Sequence, residues 1–168
     1  MVAPAPVSAL LHAVAVVKAG AFGLVVIGLN RGGAPAPGFE RTYPTAELGT
    51  FLGEADYLAC TLPETAETAD LLDAAAFAAM KPGCYLVNVG RGRHLVDEDL
   101  LEALGRGRQV HAVLDVFREE PLPGDHPFWS HPRITVTPHV AALTDPRAAA
   151  ERIAENWRRL KAGEALVD

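Results

Sequence analysis

The run at 84–89, Cys-Tyr-Leu-Val-Asn-Val, constrains this chain most. It is short, mostly apolar and rich in residues that favour strands, and it lies between the turn signal Lys81-Pro82-Gly83 and Gly90. Such a run reads as a buried parallel strand. The first residue beyond it able to reach outward is Arg91. In an open α/β sheet, ligands bind in the crevice outside the carboxyl ends of the strands. A planar cation with several N–H donors at that rim suits a carboxylate. A lone arginine after a strand more often serves a surface loop, so its company has to decide.

That company comes from strand-like and helix-like segments alternating along the chain. Ser8 can cap a helix running to about Lys18, with Leu10, Leu11, Val14 and Val17 at helical spacing and Gly20 at its end. Residues 22–29 read as a buried strand, followed by NRGGAPAPGF, a loop of glycines and prolines without regular structure. Thr45 caps a helix to about Glu54, and 56–62 is the next strand. After the loop LPETAET, Asp73 starts a short helix to Met80. Asp97 begins a helix with acids in its first turn and basic residues and glycines at its end. Residues 110–116 form a strand, 118–133 a proline-rich loop with one turn at 128–130, and 134–137 a last short strand. Pro146 opens a final helix to about Ala162, amphipathic through Ala150, Ile153, Trp157 and Leu160. This alternation predicts an α/β fold built on a parallel sheet with right-handed crossovers.

The chain's 168 residues suffice for one domain and are too few for two of ordinary size. A formal net charge of −6 and the lack of a dense Lys/Arg stripe argue against nucleic acid as a partner. The apolar stretch 7–29 is interrupted by His12, Lys18 and several glycines, and no basic segment precedes it. It therefore reads as neither a membrane helix nor a secretory signal. Cys60 and Cys84 each fall in a candidate buried strand, which argues against a disulfide or metal site and fits a cytoplasmic location.

Successive strand ends deliver polar residues to one rim. Arg91 follows 84–89, Asp115 and Glu120 follow 110–116, and His139 follows 134–137. Neighbouring ends of a parallel sheet can bring arginine, glutamate and histidine together across tens of residues. The set suits hydride transfer to a 2-keto acid. A carbonyl receiving hydride needs a proton donor, and histidine titrates near neutrality. A carboxylate on the far ring nitrogen favours the imidazolium and orients it. The arginine anchors the substrate carboxylate and polarises the carbonyl. Taken singly, each residue has a blander reading. His139 after Thr137-Pro138 resembles an ordinary loop histidine, and Glu119 or Glu120 could be a solvated charge. Trp129, His126 and His131 read as packing residues, and His12, His94 and His111 as structural or exposed.

Four ordered stretches carry a resemblance: LPETAETADLLD, MKPGCYLVNVGRGRHLVDEDLLEAL, VLDVFREEPLPGDHPFW and ITVTPHVAALT. Over roughly 58–145 the chain resembles the nicotinamide-dependent D-2-hydroxyacid dehydrogenases, most of all their glyoxylate/hydroxypyruvate reductase branch. The resemblance implies a Rossmann-like sheet with helices on both faces and reduction of a small 2-keto acid. It makes Arg91 the substrate-binding arginine, Glu120 the carboxylate and His139 the acid/base. Asp115 and the backbone near Val89 would hold the nicotinamide carboxamide, Leu62, Pro63 and Thr68 would line the ribose and phosphates, and His139 and Ala141 would also contact the cofactor. Gly90 stands where the family often has a small residue. Asn30-Arg31, at the end of the second strand, would face the adenosine ribose, where an arginine accommodates a 2′-phosphate; NADP is expected, with NAD as the alternative. The family also implies a homodimer in its intact form and no membrane.

The pattern breaks near the start. A dinucleotide domain of this type needs a GxGxxG turn between its first strand and first helix. Pro6-Val7-Ser8-Ala9-Leu10-Leu11 stands at that place without a glycine, so the first strand and glycine loop are expected to be missing or degenerate. Their loss should leave a gap between strands 22–29 and 84–89. Reading FGLVVIGLNRGG as the phosphate loop fails on glycine spacing. The expected organisation is a single truncated NAD(P)-binding domain over 1–168, with 146–168 as C-terminal helix and tail and the family's substrate domain absent. Two other readings stay open: a non-catalytic nucleotide-binding module, and an interaction subunit completed by a separate chain.

Overall fold

A computed structural model describes residues 25–141 and 146–167, together with the backbone of Ala13–Val17. The chain divides into a sheet-bearing unit within 11–141 and a C-terminal helical unit. The strands are β1 (Ala13–Val17), β2 (Val26–Asn30), β3 (Arg41–Pro44), β4 (Tyr57–Cys60), β5 (Tyr85–Asn88), β6 (His111–Leu114) and β7 (Ile134–Val136). Helices α1 (Leu48–Glu54), α2 (Ala74–Ala79) and α3 (Asp97–Gly105) connect them, with 3-10 turns at Thr45–Glu47, Gly92–His94 and Pro127–Trp129.

Strands β4, β5, β6 and β7 are parallel and adjacent in that order, with Asn88 opposite Leu114 and Leu114 opposite Val136. The side-chain period of two divides their residues cleanly. Leu58, Cys60, Leu86, Asn88, Ala112 and Leu114 are buried, whereas Tyr57 and Tyr85 are nearly half exposed. The buried set meets Phe51 and Leu52 of α1, Ala76 and Phe77 of α2, and Leu100 and Leu104 of α3 in one core. On the opposite face Tyr57, Tyr85 and His111 stack across the first rung, with ring centroids 5.3 and 4.8 Å apart. Asp73 caps α2 by accepting from the Ala76 N–H at 2.9 Å, as its position before an alanine run suggests.

The structure corrects the sequence reading in four places. Residues 13–17, expected inside a helix, form β1, antiparallel to β2. Valines branched at Cβ lose less in a strand than in a helix, and here a neighbouring edge is available to pair with. The segment 41–44, assigned no element from the sequence, is β3, parallel to β2. Strand β4, expected as the strand 56–62, pairs with β5. The gap expected between 22–29 and 84–89 is filled: β1 pairs with β2 and packs beside β4, which pairs with β5. Finally, Thr45 is not a cap: it sits inside the 3-10 turn and turns its hydroxyl toward the Asn30 carbonyl, 3.5 Å away. Ser8, Gly20 and the segment Pro6–Leu11 lie outside the described residues.

In the second unit, α4 (Pro146–Ala162) begins and ends where expected. Its tail folds back, the Asn156 amide exchanging two 2.9 Å hydrogen bonds with the Val167 backbone. Among the described residues Ile153, Trp157 and Leu160 are exposed, and no helix is long and apolar enough to cross a membrane.

Candidate active site

The adjacency of β5, β6 and β7 brings their carboxyl ends to one rim, where Arg91, Glu120 and His139 stand. His139 Nδ1 lies 2.8 Å from Glu120 Oε2, with both side chains partly exposed. Glu120 is itself held from the other side, its Oε1 accepting the Phe117 N–H at 2.9 Å. Partial burial acts to raise the Glu120 carboxyl, but the Phe117 N–H, the His139 ring and the Arg91 charge outweigh it and hold it below the usual range. Arg91 thus reaches Glu120 electrostatically, while its guanidinium donates to the Gly90 carbonyl at 2.7 Å.

His139 has φ +52°, in the left-handed region that side chains with a Cβ avoid at a cost of roughly 1–2 kcal/mol. Asp115, only 2 % exposed, holds it there. One carboxylate oxygen accepts the Thr137 hydroxyl and the Val140 N–H (2.9 Å), and the other accepts the Ala141 N–H (2.8 Å). Burial works to raise the Asp115 carboxyl, but these donors and the nearby His139 lower it overall. A carboxylate lowered in the fold contributes stability that is present above the ordinary carboxylate range near pH 4 and is lost as pH falls through the lower folded value. Urea unfolding should therefore show Asp115→Asn less stable than the parent by about 1–3 kcal/mol at pH 7, with the gap closing in acid below about pH 4. A gap independent of pH would contradict this account of the loop.

A separate cavity of about 240 Å3 opens at the ends of β2 and β4, between Leu29, Asn30, Arg31, Leu62, Glu67 and Thr68. The Asn30 side chain shapes its entrance by accepting the Gly32 and Ala34 N–H groups and donating to the Ala34 carbonyl at 2.7 Å. Arg31 points across it to Glu67, 2.6 Å away. The sequence reading missed Glu67 as a neighbour of Arg31, and nothing in the spacing could have shown it. Thr68 lies at the base of the same turn with its hydroxyl turned inward, donating to the Pro63 carbonyl at 2.8 Å. A larger cavity of about 390 Å3 lies at the opposite strand edge, near Pro82 and Arg106, remote from these residues.

Val89 and Gly90 complete the rim. The Val89 N–H donates to the Cys60 carbonyl at 3.0 Å, and a Cβ on Gly90 would come within 2.9 Å of the Leu62 carbonyl and 3.1 Å of the His94 ring. A small residue is therefore needed there for packing. His126 packs edge-on to Phe128 and lies 3.7 Å from Asp97, Trp129 donates to the Pro123 carbonyl, and His131 accepts the Arg133 N–H. These three are occupied structurally, as is His111 in its stack.

The cavity at Asn30, Arg31 and Glu67 is concave enough for a nucleoside, and the rim of Arg91, Glu120, His139 and Asp115 offers the polar groups a nicotinamide and its substrate need. The residues present therefore fit such a cofactor at both ends, while Pro6–Leu11, where a glycine turn was sought, lies outside the described residues. Two adjoining sheets, the larger wholly parallel, with these two places at the carboxyl ends of their strands, define the class of dinucleotide-binding oxidoreductase domains. The model of the D-isomer specific 2-hydroxyacid dehydrogenase NAD-binding domain matches residues 12–141, and the chain belongs to that family. It is 53 % identical over 118 residues to glyoxylate/hydroxypyruvate reductase A of Photorhabdus laumondii, covering 70 % of this chain and 38 % of that protein. The reductase A of Serratia proteamaculans is 46 % identical over 147 residues, 88 % of this chain and 47 % of its own length. The chain thus spans less than half the length of either relative. Among solved structures, the NADPH-dependent glyoxylate/hydroxypyruvate reductase of Sinorhizobium meliloti, in complex with NADP and sulfate, superposes with a TM-score of 0.76 at 38 % identity. That match covers 87 % of this chain and 48 % of the other. A probable 2-hydroxyacid dehydrogenase from Rhizobium etli, in complex with NADP, HEPES and tartaric acid, superposes equally well, at 0.76 and 32 % identity over 87 % of this chain and 48 % of that one.

Proposed function

We propose that this chain carries the substrate-anchoring and acid–base residues of an NADP-preferring reductase of small 2-keto acids, glyoxylate or hydroxypyruvate. The observation that carries the reading is the 2.8 Å pair between His139 Nδ1 and Glu120 Oε2 at the sheet rim. With Nδ1 turned to Glu120, Nε2 is the nitrogen left to hold a proton for the substrate's carbonyl oxygen. Glu120 at Nδ1 fixes the orientation of the ring and leaves Nε2 facing outward for the substrate. Arg91 swings its guanidinium from the Gly90 carbonyl to the substrate carboxylate, fixing the carbonyl before His139. Asp115 keeps the 137–141 loop in the conformation that aims the ring, and with the backbone at Val89, Gly90 and Ala141 it borders the carboxamide. A nicotinamide held there would supply the hydride for the carbonyl carbon. Leu62, Pro63 and Thr68 border the cofactor's ribose and phosphates, and Arg31 selects a 2′-phosphate.

The reading includes one NAD(P)-binding domain over 1–168, with 146–168 as helix and tail, a homodimer as the assembled form, and a cytoplasmic location. Both NADP-bound neighbours in the comparison support the cofactor. Because GxGxxG occurs nowhere in the sequence, the 168-residue chain should bind NADPH more weakly than micromolar and turn over slowly. Isothermal titration tests the first part, and micromolar binding would refute it. The reading as a whole is tested by absorbance at high protein concentration. Slow, saturable, glyoxylate-dependent oxidation of NADPH, faster than that of NADH, is expected, and oxidation indifferent to glyoxylate would sink it.

A further inference from the structure

His94 takes no part in the site as described so far, yet it lies beneath it, fully buried, in the 3-10 turn that follows Arg91. Its Nε2 stands 3.3 Å from the Pro63 carbonyl oxygen, which can only accept, so this nitrogen carries the hydrogen. Its Nδ1 then has a free lone pair and accepts the Arg91 backbone N–H at 3.2 Å, with the Cys60 thiol 3.5 Å away. The Pro63 carbonyl also accepts the Thr68 hydroxyl, so two side-chain donors converge on one oxygen. Gly90 permits the arrangement, since a Cβ there would press on the His94 ring and the Leu62 carbonyl together.

We infer that His94 is a positioning residue: its neutral ring clamps the Arg91 backbone to the Pro63 carbonyl, setting the substrate anchor and the cofactor wall at one fixed separation. The exposed Arg93–Glu64 pair, 3.5 Å apart, also links the two loops, but it holds neither the Arg91 nor the Pro63 backbone. A protonated ring could not serve, because Nδ1 would become a donor facing the donating Arg91 N–H. The surroundings keep it neutral. Burial lowers the tendency of His94 to protonate; the Pro63 carbonyl and Glu64 act the other way, and the Arg91 charge adds to the lowering. The Cys60 thiol, pushed up by burial to about 11, brings no charge. The inference rests on the proposed anchoring role of Arg91 only for its functional consequence, not for the clamp itself.

Nitrogen-15 NMR of the imidazole rings in the 168-residue chain is the first test. His94 should show the Nε2–H neutral form at pH 6, where an unperturbed imidazole is more than half protonated. An imidazolium or an Nδ1–H ring would overturn the clamp. The second test separates the two bonds. His94→Asn places an acceptor near the Nδ1 position and should keep the Arg91 amide protected from hydrogen exchange, whereas His94→Gln, which reaches only toward Pro63, should lose that protection. Oxamate, an unreactive mimic of a 2-keto acid, should bind roughly ten- to a hundredfold more weakly to the Gln variant than to the parent. Equal Arg91 exchange in parent and Gln variant overturns the inference. Oxamate that leaves Arg91 unperturbed in the parent instead overturns the anchoring role, while amide exchange still decides the clamp.

Discussion

Replacing His139 with alanine should lower the rate of keto-acid reduction by about 10²–10⁴-fold, the usual contribution of a positioned general acid. The expectation follows from where the ring's nitrogens point. Nδ1 is committed to Glu120 at 2.8 Å, so a proton for the substrate can leave only from Nε2. Alanine removes that proton while leaving the cavity around Arg31 and Leu62 untouched, so NADPH affinity should change little. Glu120→Gln keeps a hydrogen-bonding group beside the ring but removes the carboxylate charge from Nδ1, and its loss should be smaller. Single-turnover absorbance with NADPH and glyoxylate separates the two. A His139→Ala rate within about tenfold of the parent would mean the proton comes from elsewhere.

Gly92→Ala should be the most damaging single substitution for folding. A Cβ at this position would stand 1.9 Å from both the carbonyl carbon and oxygen of Phe117 and 2.5 Å from the Arg118 nitrogen. All of these are backbone atoms, so no rotamer change relieves the clash. The turn after β5 and the segment after β6 must move apart. Overpacking a tight interior costs about 1–3 kcal/mol and sometimes more, and backbone against backbone belongs at the upper end. In a domain whose total stability is about 5–15 kcal/mol, that is a large fraction. The same movement would separate Arg91 from Glu120, which lie on the two displaced segments. Thermal unfolding should show a strongly lowered midpoint or no cooperative transition, and an unchanged midpoint would contradict the packing described.

Much of the site was legible before any coordinates. The strands at 84–89, 110–116 and 134–137 appear as β5, β6 and β7, trimmed by one to three residues at their ends. Their apolar runs are bounded by glycine and proline, so local chemistry sufficed to find them. Arg91, Glu120 and His139 then had to share a rim, because consecutive parallel strands with right-handed crossovers place their carboxyl ends side by side. The first part of the chain was harder to read. In Ala-Val-Ala-Val-Val a helical spacing coexists with strong strand preference, and only the availability of the β2 edge decides between them. Segment 41–44 is four residues long and ends in proline, too little pattern to be told from loop.

Sequence by itself determined the class of fold, the family, and which side chains stand at the rim, since these depend on residue type and strand order. Only the tertiary structure decided how those groups are held: Asp115 bracing the left-handed backbone at His139, Glu67 facing Arg31, and a buried His94 joining Arg91 to Pro63. The physical reason is reach. Hydrophobic period and turn chemistry act over a few neighbouring residues and are written locally. A hydrogen bond between residues that lie 25 or 31 apart depends on where two loops come to rest, and no local pattern records that distance.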